Sequence, residues 1–73
     1  MNRLKDLRED KDLYQKDIAK ILGMSQTGYS KYEVGTTNIP VNVLIKLASY
    51  YKTSVDYILG LTNVKEPYSK IKK

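Results

Sequence analysis

Hydrogen-bonding side chains gather on the outer face of one predicted helix: Gln26, Thr27, Ser30 and Lys31. They are small or polar side chains with one cation, a set that suits recognition through hydrogen bonds. The sequence contains no Cys and no His. This absence excludes thiol nucleophiles, histidine bases, disulfides and Cys/His zinc sites, and so most catalytic chemistry. The 8 Asp and Glu residues include no pair at a spacing that predicts a shared cleft. No metal-ligand or Gly-rich phosphate motif occurs, so we expect no enzyme, cofactor, metal or small-molecule ligand.

The 73 residues, with a mass of 8.4 kDa, suffice for one small domain. The 13 Lys and Arg exceed the 8 Asp and Glu, and the net charge of +5 favours nucleic acid or an acidic surface as a partner. The net charge is unevenly distributed. Residues 1–13 hold four basic and four acidic residues and so have no net charge. Residues 14–38 and 39–61 have a net charge of +1 each, and residues 62–73 have +3. Most of the excess therefore lies at the C-terminus.

No apolar run approaches the roughly 18 residues of a membrane span. The first ten residues are charged throughout, unlike a signal peptide. We therefore expect a cytoplasmic protein without a membrane partner.

Apolar residues follow helical spacing nearly everywhere, which predicts an all-α fold of five helices. The first helix is expected over residues 2–10 with Asn2 as its cap. The second runs over residues 15–22 and ends at Gly23, which can adopt the left-handed conformation. The third spans residues 25–33 and begins with a serine cap.

Pro40 is expected in the first turn of a fourth helix. That helix presents the cleanest apolar stripe in the chain, formed by Leu44, Leu47, Ala48 and Tyr51. A short fifth helix is capped by Ser54 and is expected to bury Val55, Ile58 and Leu59. The pattern stops after residue 61, which predicts a mobile basic tail over 62–73.

Two short helices joined by a three-residue turn that contains glycine indicate a helix-turn-helix. The segments that carry this pattern are QKDIAKILGMSQTGYSKYE (15–33), IP (39–40), LIKLA (44–48) and SVDYILG (54–60). Together they resemble the phage repressor and Cro family of helix-turn-helix proteins, the XRE type, over about residues 3–61.

The resemblance implies a compact five-helix lambda-repressor-like DNA-binding domain over residues 1–61, with the helix-turn-helix at helices 2 and 3. It implies sequence-specific binding of double-stranded DNA by a bacterial or phage transcriptional regulator, expected to be a repressor. The recognition helix, residues 25–33, would lie in the major groove. Gln26 and Thr27 would be the main base contacts, with Ser30 and Lys31 further along. A glutamine amide pairs with adenine, a lysine donates to guanine, and the Thr27 methyl meets a thymine methyl.

The resemblance also implies phosphate contacts, from Tyr14, Gln15, Ser25, Thr36, Thr37 and Asn38. Gln15 matches the start of the family's second helix, where backbone amides favour an anion. Tyr14 departs from the family, which places Thr, Ser or Asn at this cap. Because Tyr cannot cap, we expect Asp17 to cover part of the exposed amides, and the Tyr14 hydroxyl either reaches phosphate or packs on the surface. The loop over 36–38 has no basic residue, which predicts a shallow salt dependence.

Arg8 and Glu33 match family positions that often form an ion pair, with an ordinary surface pair as the alternative. Tyr29 and Tyr32 are expected in the core. Family repressors bind near-palindromic operators as homodimers. The candidate dimer contacts are Tyr57, Leu59, Leu61 and Val64. Alternatively, these four residues complete the core of the monomer.

Another class of function stays open: a protein-binding adaptor or antitoxin-like partner with the same fold. An adaptor predicts that Gln26→Ala and Thr27→Ala leave function intact, whereas a repressor predicts loss of sequence preference. The tail at 62–73 is expected to strengthen binding to any DNA.

Overall fold

Five α-helices follow one another along residues 2–66, the part of the chain that the computed structural model describes. They are α1 (Leu4–Asp10), α2 (Gln15–Leu22), α3 (Gln26–Val34), α4 (Val41–Tyr51) and α5 (Val55–Ile58). Residues 2–66 contain no strand, so the predicted all-α fold of five helices is confirmed. Met1 and residues 67–73, most of the predicted tail, lie outside the described residues.

Every helix contributes to a single apolar core. Its buried members are Leu4, Leu7, Ile18, Ala19, Tyr29, Tyr32, Leu44, Leu47, Ala48, Tyr51 and Ile58. The predicted stripe of α4 is confirmed, and Tyr29 and Tyr32 pack edge to face inside the core with ring centroids 6.3 Å apart. A domain of this size buries only about 60% of the surface that its extended chain exposes. Because helices this short are marginal in isolation, each helix is held mainly by these core contacts.

The turn between α2 and α3 forms as predicted. Gly23 has a φ of 70° and ends α2, where the amide of Met24 returns to the carbonyl of Ala19 at 2.9 Å. The hydroxyl of Ser25 then caps α3 by accepting from the amide of Gly28 at 3.1 Å. Since α2 and α3 pack directly on each other, the turn fixes how α3 is presented.

Three local predictions are corrected. Arg3, not Asn2, precedes α1, although the side-chain oxygen Oδ1 of Asn2 still accepts from the amide of Leu4 at 3.0 Å. Pro40 stands one residue before α4 and not within its first turn. Leu59 follows α5 and is exposed, because the four-residue helix directs only Ile58 fully into the core.

Residues 62–65, expected to begin a mobile tail, lie against the domain. The guanidinium of Arg3 donates to the carbonyl of Thr62 at 3.0 Å and to the side chain of Asn63 at 2.9 Å. The hydroxyl of Thr53 donates to the carbonyl of Lys65. These residues therefore have hydrogen-bond partners on the domain, and both the mobility of the tail and its boundary at residue 62 stay predictions.

Candidate nucleic-acid interface

The outer face of α3 carries the four residues predicted to contact bases. Gln26, Thr27 and Lys31 are exposed and Ser30 is half-buried. They line an open cavity of about 460 Å³ together with Gln15 of α2. Tyr29 and Tyr32 occupy the opposite face of α3 and are buried, so the core determines which side chains α3 presents. The structure thus brings the predicted base contacts together, and their contact with DNA stays a prediction.

The first turn of α2 lies beside this face. Tyr14 precedes the helix in an extended conformation, and its amide donates to the carboxylate of Asp17 at 2.8 Å. Asp17 therefore covers an amide at this end, as expected. The Tyr14 side chain is 69% exposed, with the ammonium of Lys16 5.6 Å from its ring centroid. Its position leaves it accessible to a phosphate.

Gln15 has a role that sequence analysis missed. Its side-chain amide donates to a carboxylate oxygen of Glu33 at 3.0 Å, which joins the first residue of α2 to the last turn of α3. No local pattern indicates a contact between residues 18 positions apart, and the resemblance implies a phosphate contact for Gln15 and an ion pair with Arg8 for Glu33.

Arg8 and Glu33 form a buried, two-pronged ion pair. The guanidinium donates to the two carboxylate oxygens of Glu33 at 2.7 and 3.2 Å, and to the carbonyl of Leu13 at 2.8 Å. The side chains of Arg8 and Glu33 are only 10% and 4% exposed, unlike those of a surface pair. The pair ties α1 to the end of α3, and a buried pair of this kind fixes geometry more than it adds net stability.

The network also sets the protonation of its members. Burial acts to raise the pKa of the Glu33 carboxyl, but hydrogen bonds from Arg8 and Gln15 outweigh burial and hold that pKa below its usual range. The hydrogen bond to Glu33 raises the pKa of Arg8. Glu33 therefore stays ionised at neutral pH, and its carboxylate accepts hydrogen bonds from Arg8 of α1 and Gln15 of α2 at the same time.

Two tyrosine hydroxyls are buried close to this network. Neither the Tyr29 nor the Tyr51 hydroxyl makes a hydrogen bond of normal geometry within residues 2–66. Burial is the main reason that the pKa of Tyr29 lies above its ordinary value, and the neighbouring Glu33 carboxylate adds to the effect. Burial likewise raises the pKa of Tyr51 to about 12. Both tyrosines therefore stay neutral.

Gly28 has little free space inside α3. A Cβ at this position would lie 3.1 Å from the terminal methyl of Met24 and 3.2 Å from the hydroxyl of Ser25. Glycine therefore lets the start of α3 fit closely against the turn that precedes it.

The loop after α3 supplies the remaining predicted phosphate contacts. Gly35 has a φ of 84° and ends α3, and Thr36, Thr37 and Asn38 follow it as exposed residues. This position leaves their polar groups accessible beside the end of α3, and their contact with a DNA backbone stays a prediction.

The predicted dimer contacts separate into two groups. Tyr57 is half-buried beneath the guanidinium of Arg3, which lies 4.3 Å from its ring centroid. Leu59, Leu61 and Val64 are 37%, 72% and 53% exposed. The alternative that all four complete the core is therefore wrong for these three. Whether they form a dimer contact stays a prediction.

Within residues 2–66, no helix is both long and apolar enough to cross a membrane. The same residues contain no cluster of His, Cys, Asp or Glu side chains that could hold a metal ion.

The chain matches the model of a helix-turn-helix family over residues 4–58. It is 38% identical over 65 residues to the uncharacterized HTH-type transcriptional regulator YobD of Bacillus subtilis, covering 89% of this chain and 58% of that protein. It is 31% identical over 67 residues to the cryptic phage CTXphi transcriptional repressor RstR of Vibrio cholerae, covering 89% and 60%.

The antitoxin PezA of Streptococcus pneumoniae is 30% identical over 64 residues, covering 88% of this chain and 40% of that protein. The chain thus spans somewhat over half the length of the first curated relatives it matches. No solved structure matches it. The family match extends from the first residue of α1 to the last residue of α5, and the chain belongs to the XRE-type helix-turn-helix family.

Proposed function

We propose that this protein binds double-stranded DNA sequence-specifically and regulates transcription as a repressor, with α3 in the major groove. One observation carries the proposal: Gln26, Thr27, Ser30 and Lys31 share one solvent-facing side of a helix whose other side is fixed in the core. The similarity to a phage repressor supports the repressor role.

Each of the four side chains has a natural partner on base edges. The amide of Gln26 pairs with N6 and N7 of adenine, the ammonium of Lys31 donates to N7 or O6 of guanine, and the Thr27 methyl packs on a thymine methyl. Ser30 donates or accepts with any base. Each well-placed contact discriminates between bases by about 1–3 kcal/mol.

Flanking residues hold the DNA backbone. Gln15, Ser25 and the exposed Tyr14 approach one phosphate strand where α2 and α3 begin. Thr36, Thr37 and Asn38 approach it from the other side of α3. Because none of these six side chains is positively charged, they contribute neutral hydrogen bonds, and the affinity depends on salt less steeply than that of a repressor with a basic loop.

A single domain contacts one half-site, so we propose that the protein acts as a homodimer on a near-palindromic operator. Half-sites of such operators lie about 34 Å apart. The exposed apolar residues Leu59, Leu61 and Val64 form the contact between the two copies. Two-fold symmetry would then place one α3 in each of two successive major grooves.

A second function is favoured by the similarity to a protein named as an antitoxin. In that case the fold serves mainly as a protein-binding partner, and the exposed face of α3 is dispensable. The two functions differ in what Gln26 and Thr27 do.

Selection of preferred duplexes from a random pool tests the proposal. We expect a near-palindromic sequence to outcompete bulk DNA at physiological salt. Gln26→Ala and Thr27→Ala should each relax the preference at specific base pairs by about 5- to 150-fold, the range that follows from about 1–3 kcal/mol per contact. Lys46→Ala, which removes an exposed charge from α4, is the control and should keep the preference. If no duplex outcompetes bulk DNA, the sequence-specific function is wrong.

A further inference from the structure

Arg3 holds the C-terminal segment through both its side chain and its backbone. Its Nε donates to the carbonyl of Tyr57 at 2.9 Å, and its guanidinium lies over the Tyr57 ring. The same guanidinium donates to the carbonyl of Thr62 and to the side chain of Asn63. Its backbone amide donates to the carbonyl of Ile58 at 2.8 Å. One residue at the N-terminus thus holds the chain both at α5 and beyond it.

These contacts fix the stretch that carries the exposed apolar side chains. Leu61 and Val64 flank the two residues that the guanidinium holds, Thr62 and Asn63. On the far side, the buried Thr53 holds the carbonyl of Lys65. Because both ends are fixed, Leu61 and Val64 project from a supported segment.

The exposed stretch over residues 59–64 suits a second copy of this chain. It contains no charged residue, whereas the whole chain carries +5. Two such chains repel each other overall, and a two-fold contact brings like residues together, so a contact without charged residues adds no close pair of like charges to that repulsion. Leu59 also borders an open cavity of about 450 Å³, which Ile39 and Leu44 line together with the polar residues Asn2, Thr37 and Asn38.

We propose that Arg3 is a positioning residue for the dimer: it holds residues 61–64 in the conformation in which Leu61 and Val64 contact a second copy. The inference rests on the homodimer of the proposed function and assigns a role to a residue outside both the DNA face and the apolar contact. The role depends on the shape of the guanidinium. A lysine can place a cation over the Tyr57 ring but cannot donate from two separate nitrogens to three acceptors at once.

The experiment compares Arg3→Ala and Arg3→Lys with Lys5→Ala, a control that removes a positive charge from an exposed position of α1. Sedimentation equilibrium of the full chain gives the dimer dissociation constant. Hydrogen exchange followed by NMR gives the protection of the amides over residues 61–65. DNA affinity is measured on a single half-site and on the complete operator found by selection.

For Arg3→Ala we expect the dimer dissociation constant to rise by about tenfold or more, with faster exchange over residues 61–65. Arg3→Lys should show a smaller rise in the same direction, and Lys5→Ala should match the wild type. Half-site affinity should stay within about twofold, while affinity for the complete operator falls with dimerisation. This split separates positioning from reduced stability, because partial unfolding would lower half-site affinity as well, and operator affinity still more, since the operator binds two folded copies.

A fall in half-site affinity of more than about twofold, or an unchanged dimer dissociation constant in Arg3→Ala, would overturn the role of Arg3. The variant Leu61→Ser tests the dimer separately. If the wild type dimerises and Leu61→Ser weakens the dimer while Arg3→Ala does not, only the inference about Arg3 is wrong. If the wild type remains monomeric both free and on operator DNA, the proposed homodimer is wrong and the inference is wrong with it.

Discussion

The side-chain amide of Gln15 donates to the carboxylate of Glu33 at 3.0 Å, which joins the beginning of α2 to the end of α3. The residue expected to face a phosphate is therefore attached to the helix expected to contact bases. Arg8 of α1 binds the same carboxylate, so Glu33 connects three helices at one point.

Loss of the Gln15 side chain should loosen this connection. Gln15→Ala removes a hydrogen bond to a charged group, and we expect the free energy of unfolding to fall by about 1–2 kcal/mol. Urea denaturation measures this change. Lys16→Ala, at an exposed neighbouring position, should change stability by less than about 0.5 kcal/mol. A Gln15→Ala variant as stable as the wild type would show that this hydrogen bond contributes nothing.

Glu33 should make the domain sensitive to acid. Its folded-state pKa lies below the unfolded value of about 4.3, so its stabilising contribution is complete above that value. It is lost as pH falls below about 4.3 toward the folded-state pKa. In Glu33→Gln this part of the acid dependence should disappear, while stability at neutral pH falls by about 3 kcal/mol because Arg8 is left unpaired. Thermal unfolding between pH 7 and 2 measures both effects, with the exposed Glu9→Gln as the control. An unchanged acid slope in Glu33→Gln would contradict the prediction.

The helices and their inner faces follow from local sequence. The period of Leu44, Leu47, Ala48 and Tyr51, the glycine at 23 and the serine caps at 25 and 54 are each defined within a short stretch of chain. The Arg8–Glu33 ion pair is implied only by the resemblance, because no local sequence pattern relates residues that are 25 positions apart.

Contacts between distant polar residues could not be predicted in this way. Asn2 donates to the carbonyl of Tyr32 at 2.8 Å, and Arg3 reaches residues 57–63. Such contacts depend on how the helices are arranged in space, and charge or polarity at one position does not specify a partner 30 to 60 positions away. The end of the apolar period after residue 61 predicts a mobile segment, and it gives no sign of the hydrogen bonds that Arg3 and Thr53 make to residues 62–65.

The buried hydroxyl of Tyr51 is expected to oppose folding. On folding the hydroxyl loses its hydrogen bonds to water and gains no hydrogen bond of normal geometry in the core. Tyr51→Phe should therefore leave the free energy of unfolding unchanged or raise it by about 1 kcal/mol. Tyr50→Phe, at an exposed neighbour, is the control. A decrease of more than about 1 kcal/mol in Tyr51→Phe would show that the hydroxyl has a stabilising partner.

The same tyrosine should contribute to alkaline unfolding. Its folded-state pKa is about 12 and its unfolded value is about 10, so burial disfavours the ionised hydroxyl in the folded state. The free energy of unfolding therefore does not depend on this group below about pH 10 and falls as pH rises from there through the folded-state pKa. Tyr51→Phe should therefore unfold less steeply between about pH 10 and 12 than Tyr50→Phe, as followed by circular dichroism. Equal slopes would contradict the raised pKa.

Deletion of residues 67–73 separates general affinity from sequence preference. The deletion removes three lysines, Lys70, Lys72 and Lys73, and retains Lys65, whose carbonyl is bound by Thr53. We expect affinity to fall by similar factors on the selected operator and on random DNA. The plot of log affinity against log salt should become shallower by about 0.9 for each phosphate that the shortened chain no longer neutralises. Changing the three lysines to glutamine at constant length should reproduce the effect, because charge and not chain length is responsible. A reduction confined to the operator would instead place these residues in base recognition or dimerisation. In that case α3 would not be the sole source of sequence preference.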